Sequence, residues 1–117
     1  APAERCLKVV ASPEATGYDK ATVLFSHIPP GSTTGPHTHP CDEIIYFVGR
    51  GEGRIGGETT PLETDSVMIA PKGMEHECRN TSATETLKLF CVYIPALPLA
   101  GPAAEAARKT AEHLKGQ

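Results

Sequence analysis

Apolar residues occur along this chain in short runs, and each run is ended by glycine, proline or polar residues. The run at 21–28 has the pattern of a buried strand, and Pro29-Pro30-Gly31 ends it. The run at 43–48 is rich in β-branched and aromatic residues, which are typical of strands. The same pattern predicts further strands at 66–70, 75–80 and 86–94.

Glycines mark the middle of the sequence. Gly49, Gly51 and Gly53 interrupt the stretch that follows the second predicted strand, which indicates a bulge or bend there. Gly56 and Gly57 form the two-residue signature of a tight hairpin. We therefore expect the chain to turn back at these two residues and to return along 59–63.

A helical pattern is found only near the end of the sequence. Gly101-Pro102 is a suitable helix start, and small apolar residues follow at helical spacing, so we expect a helix from about 102 to 115. Short strands joined by turns, with one helix after them, indicate an all-β sandwich or barrel. The length of 117 residues fits one domain covering 1–117.

Composition and charge exclude several classes of partner. The chain has 11 Lys and Arg against 14 Asp and Glu, a formal net charge of −3, and no basic block, so nucleic-acid binding is not expected. No apolar run is long enough to cross a bilayer, and the first residues lack the pattern of a secretory signal. The four cysteines show no CxxC spacing, which favours reduced thiols and a cytoplasmic protein.

Three potential metal ligands lie within seven residues, namely His37, His39 and Glu43. On an extended chain the two histidines point to the same face, so both imidazoles can meet one ion. A straight strand would place Glu43 roughly 20 Å from His37, because each residue advances about 3.3 Å. A shared metal therefore requires a bend between His39 and Glu43, and Pro40 is well placed to provide it.

A second segment, 65–80, carries another histidine after a Pro-x-Gly turn, and together with 31–51 it resembles the two motifs of the cupin superfamily. In the first motif, Gly31 precedes the HxH pair by five residues and Glu43 follows it by three, while Arg50 stands where the final glycine is usual. In the second motif the matching residues are Pro71, Gly73, His76 and Asn80, while Asp65 stands where the first glycine is usual.

This resemblance implies the family's double-stranded β-helix, a jelly-roll barrel, with the short helix at its C-terminal end. It also implies that His37, His39, Glu43 and His76 hold one metal ion inside the barrel. Three imidazoles and one carboxylate suit a divalent transition metal, namely Fe, Mn, Ni, Co, Cu or Zn, and leave positions open for substrate or water.

Residues near these ligands are candidates for the pocket and for catalysis. Ile45 and Phe47 follow Glu43 by two and four residues, so on a strand their side chains point to the same face and are expected in the pocket wall. Tyr46 would face the other side of the sheet. Cys41 and Cys78 each lie two residues from a candidate ligand, so their side chains are also expected on the ligands' face. The catalytic candidates are Tyr46 and Cys78, although a buried cysteine is more often a small core residue.

Three functions are compatible with such a site, and each would act on a small molecule. The first is a dioxygenase, because many small cupins with this ligand set belong to that class. The second is a redox-neutral lyase or isomerase that uses the metal as a Lewis acid, and the third is a ligand-binding cupin without catalysis. A homodimer is also predicted, because pairing between strand edges of two copies would cover exposed edges.

Overall fold

The computed structural model describes residues 6–115, which form two facing antiparallel sheets. The first sheet has five strands in the order β1-β2-β8-β3-β6, and the second has three in the order β5-β4-β7. This arrangement confirms the all-β prediction. In chain order the elements are β1 Cys6–Ala11, α1 Pro13–Thr16, β2 Thr22–Ile28, β3 Asp42–Val48, β4 Gly51–Ile55, β5 Glu58–Leu62, β6 Val67–Ala70, β7 His76–Asn80, β8 Leu87–Ile94 and α2 Gly101–Lys115.

Alternation of buried and partly exposed residues decides which side chains enter the barrel. Along β2 and β8 every second residue is buried, and β3 follows the same rule from Glu43 onward. Successive side chains of a strand point to opposite faces, so the buried set forms the core between the two sheets. The largest side chains of this core that are almost fully buried are Phe47, Ile28, Ile45, Leu87 and Leu89.

The beginning of the chain contains two elements that the sequence pattern did not predict. Strand β1 pairs with β2, and the one-turn helix α1 follows it, so the expectation of helix only near the end is wrong. Ser12 caps α1, because its hydroxyl accepts a hydrogen bond from the Ala15 N–H at 2.9 Å. Gly17 ends the helix in the left-handed region at φ 80°.

The predicted bulge or bend at the glycines is found only at 49–50, where the backbone bends and Gly49 has φ 118°; no bulge lies within the strand that follows. Strand β4 pairs with β5 and with β7 in unbroken register from Gly51 to Ile55. A Cβ on Gly53 would overlap Met68 Sδ of the facing sheet and stand 2.8 Å from Leu62 Cδ1. Gly51 and Gly53 therefore permit a close approach of neighbouring strands and of the facing sheet. The hairpin predicted at Gly56-Gly57 is present between β4 and β5.

Helix α2 packs beside β1 at one side of the first sheet. Ala107 of this helix is completely buried, and Thr110 Oγ1 donates a hydrogen bond to the Val9 carbonyl at 2.5 Å. Its alanine positions allow this close packing, as the sequence indicates. Within residues 6–115, no helix combines the length and apolar character that crossing a membrane requires.

Candidate metal centre

Four side chains from three separate parts of the chain meet inside the barrel. His37 and His39 lie in the loop before β3, Glu43 is the second residue of β3, and His76 is the first residue of β7. An isolated bridge joins the backbones of His37 and His76, with N···O distances of 3.0 and 2.9 Å. This bridge ties the histidine loop to the second sheet, while Glu43 is held by the first sheet.

The distances within the site suit a shared ion. One ligand atom from each of His37, His39, Glu43 and His76 can be chosen so that all lie within 4.8 Å of one another. Glu43 Oε1 is 2.9 Å from His76 Nε2 and 3.3 Å from His39 Nε2. A metal ion with ligand bonds of about 2 Å needs its donor atoms at such separations. The cluster is therefore compatible with a metal ion.

Backbone carbonyls orient two of the imidazoles. The Nδ1 atom of His37 is 2.8 Å from the Gly35 carbonyl oxygen, and the Nδ1 atom of His76 is 3.0 Å from the Met74 carbonyl oxygen. A carbonyl oxygen only accepts hydrogen bonds, so in each ring Nδ1 carries the proton and donates it. In the neutral ring Nε2 then presents its lone pair to the site, which is the arrangement that metal-binding histidines use.

The third imidazole leaves a buried nitrogen unsatisfied. His39 Nε2 has no hydrogen-bond partner among the described residues, because its 3.3 Å contact with Glu43 Oε1 lies outside hydrogen-bond geometry. A buried polar atom without a partner costs about 1–3 kcal/mol. A cation at the centre would remove this cost, so the donor set fits a metal ion.

Electrostatics in the site keep the carboxylate ionised. Burial raises the pKa of the Glu43 carboxyl, but the neighbouring His39 and the hydrogen bond with His76 outweigh it, and the pKa falls to about 2. Burial lowers the pKa of His76, yet the hydrogen bond to Glu43 dominates and the pKa is raised. Burial also lowers the pKa of His37, which favours the neutral imidazole that a metal requires.

Tyr93 contacts the site, although the sequence reasoning did not select it. Its ring meets the ring of His39 edge to face, with centroids 5.0 Å apart and an interplanar angle of 88°. Tyr93 is 4% exposed and lies directly opposite Glu43 in the pairing of β8 with β3. The alternation along β8 could have predicted this position, because Tyr93 lies on the same buried face as Leu89 and Cys91.

The two catalytic candidates lie in different places. Tyr46 is on the face of β3 opposite to Glu43, and its hydroxyl donates a hydrogen bond to Asp65 Oδ1. Cys78 is 2% exposed and lies on the inner face of β7, two residues after His76. Cys41 is also buried, and burial together with the charge of Glu43 raises the pKa of its thiol. A raised pKa makes a thiol less nucleophilic at neutral pH.

Two departures from the motif glycines have simple structural explanations. Asp65 occupies the place of the second motif's first glycine and adopts φ 74°, a left-handed conformation that aspartate tolerates better than most residues. Gly49, one place before Arg50, has φ 118°, so the positive φ of this turn falls on a glycine. Both departures lie in turns and leave the four candidate ligands close together.

The fold and the site together define a small jelly-roll protein with a histidine and glutamate cluster inside its barrel. Comparison with protein families agrees with this class, because the model described as Cupin domain matches residues 24–93. The matched segment covers more than half of the chain. The protein therefore belongs to the cupin family, as the motifs implied.

Two curated relatives and one solved structure are among the proteins similar to this chain. Polyketide synthase CurC of Streptomyces cyaneus is 31% identical over 86 residues, which are 72% of this chain. An oxalate-binding protein of Thermotoga maritima is 33% identical over 69 residues, which are 57% of this chain. The chain spans 56% of the length of each. The crystal structure of a predicted oxalate decarboxylase from Thermotoga maritima has a TM-score of 0.68 at 27% identity, covering 76% of this chain and 78% of that one.

Proposed function

We propose that the protein binds one divalent transition metal ion, from the set Fe, Mn, Ni, Co, Cu and Zn, through His37, His39, Glu43 and His76. The observation that carries the proposal is the buried His39 Nε2, which has no hydrogen-bond partner among residues 6–115 and faces the Glu43 carboxylate. Two of the other imidazoles are oriented through Nδ1 by backbone carbonyls. The potential metal-ligating atoms of these side chains therefore point toward one centre.

The ligand that best suits this centre is a small carboxylate. Glu43 supplies one negative charge against the two positive charges of the ion, so the loaded site keeps a net positive charge that attracts an anion. Ile45, Phe47 and Tyr93 are buried on the inner face of the first sheet and keep water away from this part of the barrel. The similarity to an oxalate-binding protein agrees with an oxalate-like ligand.

For the reaction itself, a dioxygenase is the leading proposal. When bound, the ion supplies Lewis-acid polarisation of a carboxylate and, if it is redox-active, electron transfer to dioxygen. The chain's own part is to hold and orient the substrate and to exclude water. Of the two catalytic candidates, Tyr46 has less support as an acid or base because it faces away from the ligands, whereas Cys78 lies on the inner face of β7.

A redox-neutral lyase or isomerase is the second candidate. The solved structure of a predicted oxalate decarboxylase, 27% identical to this chain, favours it. Tyr93 lies against His39 and is our candidate for acting on a carboxylate held beside the metal ligands. A cupin that only binds its ligand is the third reading, and the experiment below separates all three.

The test begins with metal binding. Protein stripped with a chelator is titrated separately with each of the six ions, and we expect one ion per chain. His76→Ala should lower the affinity roughly 100-fold or more, because a deprotonated ligand is lost. His27→Ala is the matched control, since His27 lies on the outer face of β2. Failure of the wild-type protein to bind any ion would overturn the metal site.

The second step tests the ligand and the reaction. Oxalate is titrated calorimetrically into metal-loaded and metal-free protein, and tighter binding to the loaded form is expected. Turnover of oxalate and of a panel of small carboxylates is then measured in air and without oxygen. Loss of turnover without oxygen supports the dioxygenase, whereas persistent turnover supports the lyase or isomerase. Binding with no turnover in either condition supports the ligand-binding cupin.

We further propose a cytoplasmic location and a homodimer. Within residues 6–115 no disulfide joins the four cysteines, and Cys41, Cys78 and Cys91 are buried as small core residues. This agrees with the reduced thiols that the sequence favours. The homodimer is supported by strand β6, which lies at the edge of the five-stranded sheet with one side not hydrogen-bonded to another described strand.

A further inference from the structure

The two sheets stand open along one side, between strands β5 and β6. Among residues 6–115, β5 pairs only with β4 and β6 pairs only with β3, so each of the two strands has one free edge. A cleft of about 240 Å³ enters the molecule between them. We call it the side cleft. Its walls are formed by three residues of β5, by residues 67–69 of β6, and by Gly53 and Ile55 of β4.

Other sides of the barrel near the site are covered by the chain itself. The free edge of β7 is covered at its start by the histidine loop, through the backbone bridge between His37 and His76. On the β2 side, the Thr22 hydroxyl accepts a hydrogen bond from the Leu97 N–H at 3.0 Å and donates one to the Leu97 carbonyl at 3.1 Å. Thr22 lies opposite Tyr93, so this contact closes the barrel beside the site. Among the described residues, no strand closes the side between β5 and β6.

The side cleft begins beside the candidate metal ligands. Ile55, which lines the cleft, lies directly opposite His76 in the pairing of β4 with β7. Residues in such positions have their Cβ atoms about 4.5–5.5 Å apart and point to the same face. On the facing sheet, the small Ala70 lies opposite Glu43, and Met68 of the cleft precedes it by two residues on the same face of β6. A molecule bound at the metal centre can therefore extend directly into the cleft.

The inner part of the side cleft is apolar. Leu62 and Met68 converge over Gly53, where a Cβ would overlap Met68 Sδ and stand 2.8 Å from Leu62 Cδ1. The two polar residues of the lining, Glu58 and Thr60, lie on the edge strand β5 and are exposed to water. An apolar group in the cleft would contact Leu62 and Met68, whereas a second carboxylate would lose water and meet the negative charge of Glu58.

The volume of the side cleft suits a ring or a short hydrocarbon chain. An apolar cavity of about 150 Å³ holds one benzene molecule. At about 240 Å³, the cleft has room for an apolar group of roughly six to nine carbon atoms. Oxalate has no apolar part and would leave the cleft to water.

We propose that the side cleft binds the apolar arm of a carboxylate whose carboxyl group lies at the metal centre. The inference rests on the proposed metal site and its carboxylate ligand, and it narrows the substrate class to monocarboxylates with a hydrocarbon or aromatic arm. The positive charge of the loaded centre holds the carboxylate, and burial of the arm against Leu62 and Met68 supplies the selectivity. Glu58 discriminates against a second anionic group.

The first experiment is calorimetric titration with carboxylates of increasing chain length. The wild-type protein is loaded with whichever of the six ions it binds most tightly, and acetate, butyrate and hexanoate are compared. Each methylene that enters the cleft should tighten binding roughly threefold to fourfold, so hexanoate should bind roughly 30-fold or more tightly than acetate. Adipate, which adds a second carboxylate at the far end of the same six-carbon chain, should bind more weakly than hexanoate. Equal affinities for acetate and hexanoate would overturn the inference.

A substitution in the cleft tests where the arm lies. Thr60→Trp places an indole ring in the cleft, so the affinity for hexanoate should fall roughly tenfold or more while that for acetate stays unchanged. Thr59→Trp is the matched control, because Thr59 is also exposed but lies on the opposite face of β5. It should bind both ligands as the wild type does, and circular dichroism checks the folding of both variants. Undiminished hexanoate binding by folded Thr60→Trp would overturn the placement of the arm.

A spectroscopic measurement locates the arm without a substitution in the cleft. The chain has two methionines, so carbon-13 labelling of their methyl groups gives two signals, which the Met74→Leu variant assigns. In zinc-loaded protein, hexanoate should shift the Met68 signal and acetate should not. Met74 is 44% exposed and does not line the cleft, so it serves as the internal reference. A Met68 signal that saturating hexanoate leaves in place would contradict the inference.

The outcomes separate this inference from the proposed function. A wild-type chain that takes up none of the six ions overturns the proposed metal site, and the role of the side cleft with it. A loaded chain that binds acetate but gains nothing from a longer arm overturns the side cleft alone. Sedimentation equilibrium tests another occupant: a wild-type dimer that Thr60→Trp dissociates, with no gain from hexanoate, would assign the cleft to a second copy and overturn the inference.

Discussion

Replacing Glu43 by glutamine in the metal-free protein should remove a large part of its stability at neutral pH. The pKa of Glu43 falls from 4.5 to about 2 on folding. A difference of that size corresponds to about 3 kcal/mol of stability at neutral pH, since each pKa unit is worth about 1.4 kcal/mol. The side chain is 3% exposed, so solvent screens the interaction little.

The sign of the pH dependence follows from the direction of each shift. The Glu43 pKa is lowered by folding, so its contribution is present above pH 4.5 and is lost as the pH falls toward 2. The His76 pKa is raised, so its contribution is complete below pH 6.5 and is lost as the pH rises through the folded value. The pair therefore stabilises the metal-free protein most between about pH 4.5 and 6.5.

Urea unfolding at several pH values between 3 and 8, in the presence of a chelator, measures this effect. We expect the free energy of unfolding of the wild type to fall more steeply below pH 4.5 than that of Glu43→Gln. Glu58→Gln, which removes an exposed carboxyl at the β4-β5 hairpin, is the control and should follow the wild type. Parallel curves for wild type and Glu43→Gln would refute the reasoning.

Three further predictions concern packing, metal linkage and the outer tyrosine. Gly53→Ala should lower the free energy of unfolding by about 1–3 kcal/mol in urea titrations, because the added Cβ overlaps Met68. Adding Met68→Val to this variant should recover part of the loss. Equal stabilities of wild type and Gly53→Ala would contradict the close packing. A bound metal should stabilise the wild type by about 2.7 kcal/mol at 100 times its Kd, and His39→Ala should abolish this increase in thermal scans. Tyr46→Phe should lower stability by about 1 kcal/mol through the lost Asp65 hydrogen bond and leave metal affinity unchanged; a large loss of affinity would show that Tyr46 acts on the site.

The candidate ligands were predictable because they follow a motif of fixed spacing. His37, His39 and Glu43 lie within seven residues, and the bend between His39 and Glu43 was required by the length of an extended chain. His76 is remote in the sequence and was found through its Pro-x-Gly turn and its resemblance to the second motif. Tyr93 belongs to no motif, and its contact with His39 follows from the pairing of β8 with β3.

The sequence by itself determined the strands from 21 to 94, the hairpin at Gly56-Gly57 and the candidate ligands at 37–43, because local propensity, turn chemistry and spacing act between neighbouring residues. Only the tertiary structure explains why position 53 requires glycine, because a Cβ there would overlap Met68 in the facing sheet. It also decided that Ile44 and Ile69 lie side by side in a water-exposed apolar face. Strand order and register bring together residues that are far apart in the chain. They cannot be read from any local pattern of the sequence.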